Sequence, residues 1–481
     1  MTTDPNAAQD GAARVVVVGA GIAGLAAARA LRAARPDVEV VVLESSDRVG
    51  GKLRVGEVGG VTVDLGAESI LNRRPEGVAL ARDVGLADRI VHPATISATV
   101  WTRGSLRPLP KSVLGVPVGL RALARSGVVS RTGVARAALD GVLPPVRPDE
   151  DRSIGALVEQ RCGSEVVDRL VEPLLGGVYA GHAREISAQA AAPQLLAKLQ
   201  ETGRLMAAAA AATSRGSSDT PVFAGLAGGV GQLPRAVARE LDVRTRTTVR
   251  ELHRLPDGRW RLVTGPVPAP EVVEADAVVV AVPAAPASRL LSDAVPAAAA
   301  ELAAIEYASM AVVTLAFRRS EVPAVEGSGF LVPPVDGRRI KAATFSFRKW
   351  GWVDAASDQL VVLRTSVGRH REEASLQLDD DALVDVSLAD LRSAIGLQAR
   401  PVDRHVQRWG GGLPQYAVGH ASRVSRVRSA VAEVPGLAVC GAAYDGLGIP
   451  ACIASGQRAA AELLRHLPAR DPSPPSGRMA P

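Results

Sequence analysis

An apolar strand, a glycine-rich turn, a helix and a second strand ending in an acid follow one another without interruption from Val15. No other feature of the chain constrains its folding as strongly, because this order is the opening of a doubly wound nucleotide-binding sheet. VVVV runs into GAGIAG, then LAAARALRAA, then VEVVVLE. Gly19, Gly21 and Gly24 form the G-x-G-x-x-G turn, and Glu44 follows about 20 residues later. The glycines allow a tight turn and close backbone approach. The first helical residues, Ile22, Ala23 and Gly24, offer free N–H groups to a pyrophosphate. Glu44, with Ser45 beside it, is placed to accept hydrogen bonds from ribose hydroxyls. This turn alone does not separate FAD from NAD.

The next segment does. Arg48-Val49-Gly50-Gly51-Lys52 supplies a second glycine pair and two cations, Arg48 and Lys52, near the expected pyrophosphate. An NAD dehydrogenase has no need of them; read as structure alone, the pair is a β-turn between strands. The length of 481 residues predicts two or three domains and room to bury a large cofactor. Lys and Arg total 56 against 50 Asp and Glu, and the positive charge is nearly all Arg. The resulting balance of +6 is modest, and with 3% aromatic residues and no basic run interleaved with them it gives no sign of nucleic-acid binding. Cys162, Cys440 and Cys452 lack metal-binding spacing, as do the seven histidines, so no metal site is expected. The cysteine pattern fits a reduced, cytoplasmic setting. The polar amino terminus has no signal-peptide core, and no window of about 18 apolar residues occurs. Peripheral membrane contact stays open.

The chain divides by pattern. The first ten or so residues and the last dozen read as mobile tails. Residues 108–212 have mostly helical periods and predict a separate helical lobe, followed by the linker-like TSRGSSDT at 213–220. Val243 to Val263 reads as two strands meeting near Pro256, Asp257 and Gly258, and EADAVVVAVP at 274–283 as one buried strand, all joining the first sheet. Residues 308–368 predict a second, mixed sheet, and LAVCGAAYDGLGIP followed by a helix returns the chain to the first. The expected fold is α/β: a discontinuous Rossmann-like FAD domain (11–70, 221–284, 431–468), a mixed-sheet substrate domain (71–107, 285–430) and the lobe.

SDRVGGK after the ribose acid resembles the FAD-dependent amine oxidase and protoporphyrinogen oxidase superfamily. So does DLGAES at 64–69, which implies that Gly66, Ala67, Glu68 and Ser69 pass the flavin and its ribityl chain. GLAGGVGQLP at 225–234 resembles the return to the cofactor domain, and Val249 matches a position whose backbone meets adenine. EPLLGGVYAG (172–181), FSFRKW (345–350), RWGGGLPQYAVGH (408–420) and CGAAYDGLGIPACIASG (440–456) more particularly resemble the bacterial coproporphyrinogen III oxidase family. The resemblance implies that Gly446, Gly448 and Ile449 set the start of the last helix against the flavin. Trp409 has two readings, a core aromatic or a ring over the isoalloxazine.

The implied substrate is a tetrapyrrole bearing propionates, apolar in its body and anionic at its rim. Arg74, and less so Arg73, resemble a basic pair that would grip a propionate, against the plainer reading of a solvated helix start. Lys349 is a further candidate, unless FSFRKW only closes a hairpin. Tyr179 and His182 read as turn and wall residues, with no role for His182, and no catalytic acid or base is named. No nucleophile motif appears, consistent with hydride abstraction from a methylene bridge. The implied reaction removes electrons in three two-electron steps and returns them to dioxygen as hydrogen peroxide, in haem biosynthesis, with transient contact to the next pathway enzyme. The rivals are protoporphyrinogen IX oxidase, an amine or carotenoid oxidoreductase of the same superfamily, and a flavin-holding tetrapyrrole carrier without turnover.

Overall fold

The computed structural model describes residues 13–214 and 221–467. Both expected tails, and all but the first two residues of the 213–220 linker, lie outside the described residues. A five-stranded sheet runs in the order Asp242–Arg244, Glu39–Leu43, Arg14–Val18, Ala277–Val280, Leu437–Val439, every pair parallel. Parallel strands are covered on both faces, which is why these segments are nearly pure Val, Leu and Ala. On one face lie the opening helix Ile22–Ala34 and the closing helix Ile449–Leu464, in a core with Val15, Val17, Leu25, Leu31, Ile453 and Leu463.

The other face carries a three-stranded antiparallel sheet, Val249–Arg254, Trp260–Thr264 and Glu271–Ala275. The strands between 249 and 264 therefore do not join the first sheet as expected; only Asp242–Arg244 does. The reason is one-sided burial. Leu252, Trp260, Leu262 and Val273 point inward while Glu251, Arg261 and Val272 face solvent, the alternation of an antiparallel layer with one wet face. The single strand expected over 274–283 is likewise two strands, broken at Asp276, whose carboxylate accepts the Arg14 N–H at 2.7 Å.

The second sheet has seven strands in the order Asp403–Pro414, Tyr307–Arg318, Leu360–Val367, Ile340–Thr344, Gly329–Leu331, Thr99–Thr102, Ser105–Pro108. It is mixed, since Gly329–Leu331 runs parallel to Thr99–Thr102. Val313, Leu315, Phe317 and Leu363 pack against the helix Asp380–Ile395. Side chains alternate across a strand, so Met310, Val312, Arg364, Ser366, Gln407 and Trp409 share the opposite face.

The segment 71–107 is split between the two bodies. Leu80 and Ala81 of the helix Pro75–Asp83 belong to the nucleotide-sheet core, and only Thr99–Pro108 enters the seven-stranded sheet. Residues 285–303 and 420–430, expected with the substrate sheet, also pack on the parallel one. Periodicity shows that an element is half-buried; it does not show against which core.

Helices from Leu120–Ser126 to Leu205–Ser214 share one core, with Leu157, Leu170, Leu175 and Leu199 at its centre. His182 fastens this lobe to the turn that follows the strand Leu360–Val367 of the seven-stranded sheet. Its Nδ1 donates to Glu172 Oε1 at 3.1 Å and its Nε2 to the His370 carbonyl at 2.8 Å. Both partners are acceptors, so the doubly protonated ring is favoured, and the Glu172 hydrogen bond raises its pKa to about 9. A raised folded pKa adds stability that is complete below the ordinary value of 6.5 and disappears as pH climbs through about 9. Replacing His182 with Gln should cost about 1–3 kcal/mol at pH 6 and flatten the fall in stability between pH 6.5 and 9, measured by denaturant titration.

Candidate active site

Gly19 has φ +106°, and a β-carbon there would lie 2.7 Å from the Ala281 carbonyl oxygen. Gly21 differs: its φ is −66°, and a β-carbon would meet nothing within 4 Å. Its open side is the crevice. Gly21 caps the opening helix without a side-chain hydrogen bond, and no acidic residue stands in the first turn. The amides of Ile22, Ala23 and Gly24 therefore face the crevice at the positive end of the helix dipole.

The second glycine pair lies alongside. Gly50 donates its N–H to the Ala20 carbonyl at 2.8 Å, and Gly21 bridges to Gly50. Glu44 accepts from the Ala20 N–H at 2.8 Å and from the Ser46 N–H and hydroxyl at 2.8 and 2.7 Å. Its carboxylate is thus fixed at the lip, with the Ser45 hydroxyl at 3.4 Å. Arg48 folds back onto the Gly51 carbonyl at 2.7 Å, bracing the turn. Lys52 is half-buried and pairs with no described carboxylate, and burial lowers its pKa.

The DLGAES segment adds a third wall. The Ala67 N–H reaches the Lys52 carbonyl at 3.3 Å, and a β-carbon on Gly66 would strike that oxygen at 2.0 Å and Trp409 Cζ2 at 3.1 Å. Trp409 is half-buried and donates Nε1 to the Leu65 carbonyl at 3.4 Å. It is a wall of the crevice rather than a buried core ring. Glu68 and Lys349, singled out for different ligands, bind one another at 2.6 Å, and Lys349 also reaches Ser69 at 3.0 Å. FSFRKW opens the connection between the antiparallel strands Ile340–Thr344 and Leu360–Val367, which is folded into two short helical turns, Ser346–Lys349 and Gly351–Asp354.

The pattern had not flagged Arg364 or Asp64. Arg364 donates to the carbonyls of Asp64 (2.7 Å) and Gly66 (3.1 Å) and meets Glu68 at 3.4 Å. Burial would raise the Glu68 pKa, but Arg364 and Lys349 outweigh it and hold the carboxyl at about 2. Asp64 accepts the N–H groups of Val230 and Gly231 at 3.0 and 3.2 Å, while burial pushes it up to about 7. The one visible hint was a lone arginine inside the apolar strand LVVLRTSV.

Gly448 caps the closing helix in extended backbone, again with no side-chain cap and no acid in the first turn, and Ile449 begins it. Gly446 has φ +136°. Val249 lies half-buried at the start of its strand, and Thr247 nearby donates to the Glu44 carbonyl at 2.8 Å. Arg74 is the cap residue of the helix Pro75–Asp83 and pairs with Glu76 at 2.6 Å, and Arg73 is exposed. No cluster of metal ligands occurs among the described residues.

Two unpartnered helix starts, a glycine whose missing side chain leaves open space, and an acid fixed at the lip fit an anionic dinucleotide with a planar head. The fold and the site define a flavin-dependent oxidoreductase. The chain belongs to the flavin-containing amine oxidoreductase family, whose model matches residues 22–464, and it uses FAD. It is 36% identical to a coproporphyrinogen III oxidase of Mycobacterium bovis, over 94% of this chain and 98% of that one. The Bacillus subtilis coproporphyrinogen III oxidase is 32% identical, over 95% and 99%, and the Bos taurus protoporphyrinogen oxidase 29%, over 94% and 98%. A solved protein from Exiguobacterium sp. 255-15, assigned as a protoporphyrinogen oxidase, superimposes with a TM-score of 0.83 at 32% identity, covering 94% of this chain and 99% of that one.

Proposed function

We propose that this protein oxidises coproporphyrinogen III to coproporphyrin III in haem biosynthesis, with dioxygen as acceptor and hydrogen peroxide as by-product. One observation carries the reading: the crevice is built by a chain similar over nearly its whole length to coproporphyrinogen III oxidases of several bacteria. FAD, when bound, supplies the two-electron acceptor. The protein's own part is positioning. The amides of Ile22, Ala23 and Gly24 hold the pyrophosphate, Glu44 and Ser45 the ribose, and Arg48, Gly51 and Lys52 the far side of the phosphates. Gly66 to Ser69 pass the flavin, Trp409 covers it, and Gly446, Gly448 and Ile449 bring amide N–H groups to the ring. Val249 lies toward the adenine.

The titratable group built most firmly into the wall, Glu68, is locked as a carboxylate between Arg364 and Lys349. It is a brace rather than a proton acceptor, and Lys349, which that pairing occupies, is offered as a wall of the substrate space more than as a free cation. The proposal places the enzyme in the cytoplasm, consistent with three buried, unpaired cysteines. No helix among the described residues is long and apolar enough to cross a membrane.

Purified enzyme given coproporphyrinogen III and protoporphyrinogen IX in parallel should convert the first faster, followed by porphyrin fluorescence. Faster turnover of the second would transfer the assignment to protoporphyrinogen IX oxidase, the reading favoured by the Bos taurus relative. Arg74→Ala should raise the apparent KM several-fold with FAD content unchanged, because the half-exposed pair with Glu76 contributes only about 0.2–1 kcal/mol to stability. An unaltered KM removes Arg74 from the substrate mouth.

A further inference from the structure

Two cations are buried near one another, Lys341 in the strand Ile340–Thr344 and Arg369 two residues past the strand Leu360–Val367. Lys341 is 4% exposed and Arg369 6%. Lys341 makes no ion pair and no side-chain hydrogen bond with any described residue, and the charge that presses on it is Arg369. Arg369 donates to the Val332 carbonyl at 3.2 Å, and its nearest carboxylate, Glu372, stands 3.9 Å away with half its side chain in solvent. The other acids nearby are engaged. Asp390 accepts the N–H groups of Arg339 and Ile340 at 2.9 and 3.0 Å, and Glu172 is held by His182 and the Ala183 N–H at 2.7 Å. Burial drives the Lys341 pKa down to about 7. Buried charges are ordinarily paired, and two like charges brought together out of water are costly to the fold.

Their position gives them a use. The register between Ile340–Thr344 and Leu360–Val367 slips at Lys341, and Lys341 accepts the Val332 N–H at 2.8 Å. Here the lobe helix Glu172–Tyr179 crosses the sheet: a β-carbon built on Gly177 would lie 3.8 Å from Leu331 Cδ2. On the same strand, Thr344 stands opposite Arg364, whose guanidinium reaches Gly66 in the crevice wall. Three residues of strand separate Lys341 from that level, about 10 Å. We propose that Lys341 and Arg369 form a carboxylate-binding subsite that takes one propionate of the tetrapyrrole, at the end of the substrate space farthest along the sheet from the Gly66 wall. The inference rests on the porphyrinogen reading above. It names a specificity determinant for a substrate with carboxylates at every side, distinct from Arg74 and Arg73 on the helix at the other body.

The test uses holoenzyme and two probes of one shape, coproporphyrin III as the free tetraacid and its tetramethyl ester, with binding followed by porphyrin fluorescence. Wild type should bind the acid more tightly than the ester. Lys341→Met, similar in length and apolar, should weaken acid binding about tenfold or more, leave ester binding within twofold, and leave FAD content unchanged. Arg369→Gln should act in the same sense and decides the matter if Lys341→Met fails to load FAD. No preference for the acid in wild type, or a preference kept in a variant that loads FAD, overturns the subsite. Absence of both coproporphyrinogen turnover and porphyrin binding in wild type would instead count against the functional reading, so the two failures are told apart.

Discussion

Replacing Gly21 with Val should give a folded, colourless protein. The backbone at Gly21 is extended, with φ −66° and ψ 168°, so a β-branched residue fits the conformation without strain. Nothing lies within 4 Å of where its β-carbon would sit, so the branch point itself enters open space. The side chain then grows into the open side of Gly21, beside the helix amides where the pyrophosphate is proposed to lie. Loss of those contacts should weaken FAD binding about 100-fold or more, about 3 kcal/mol, with circular dichroism unchanged. Gly24 would not serve for this test, since a β-carbon there strikes the Gly19 carbonyl oxygen at 2.0 Å and disturbs the turn itself. A yellow Gly21→Val protein with wild-type FAD content would place the cofactor elsewhere.

Arg364→Leu should be the most destabilising single change in the crevice wall. It leaves two carbonyls without their donor and Glu68 with Lys349 alone, in a place where side chains of the trio are between 10% and 18% exposed. Removing one member of a buried ionic group costs about 3–5 kcal/mol, because the remaining charge stays desolvated. The pH dependence carries a second signature. The Glu68 folded pKa is depressed from 4.5 to about 2, so its stabilisation is complete above 4.5 and is lost as pH falls toward about 2. With Arg364 gone the Glu68 pKa rises, and acid unfolding should begin at a higher pH than in wild type. An acid transition unchanged by the substitution would show that Glu68 is not held by Arg364.

Much of this was legible in the sequence where local chemistry dictates the answer. The Gly19 turn and the Gly50-Gly51 pair each announce a left-handed backbone conformation that few other residues tolerate, and the structure brings the two within hydrogen-bond reach. Side-chain partnerships across sheets were not legible. Glu68 and Lys349 each stand in a telling motif, 281 positions apart, but nothing local says that they meet. Arg364 reads as one polar residue in an apolar strand until its register opposite Thr314 turns it toward the crevice. The placement of Val249–Arg254 failed for a related reason: alternation reveals a one-sided strand, whereas the sheet it joins is decided by long-range pairing with Trp260–Thr264. Lys341 is silent in the sequence, because a lone lysine in a strand gives no sign of its burial.

The account stands on electrons passing from a porphyrinogen to a flavin held in this crevice. Holoenzyme mixed with coproporphyrinogen III in the strict absence of oxygen measures that transfer directly. We expect the flavin absorbance to bleach in a single turnover, with colour returning when air is admitted and porphyrin fluorescence accumulating. A flavin that keeps its full absorbance while the tetrapyrrole is bound would contradict the account and identify a carrier instead of an oxidase.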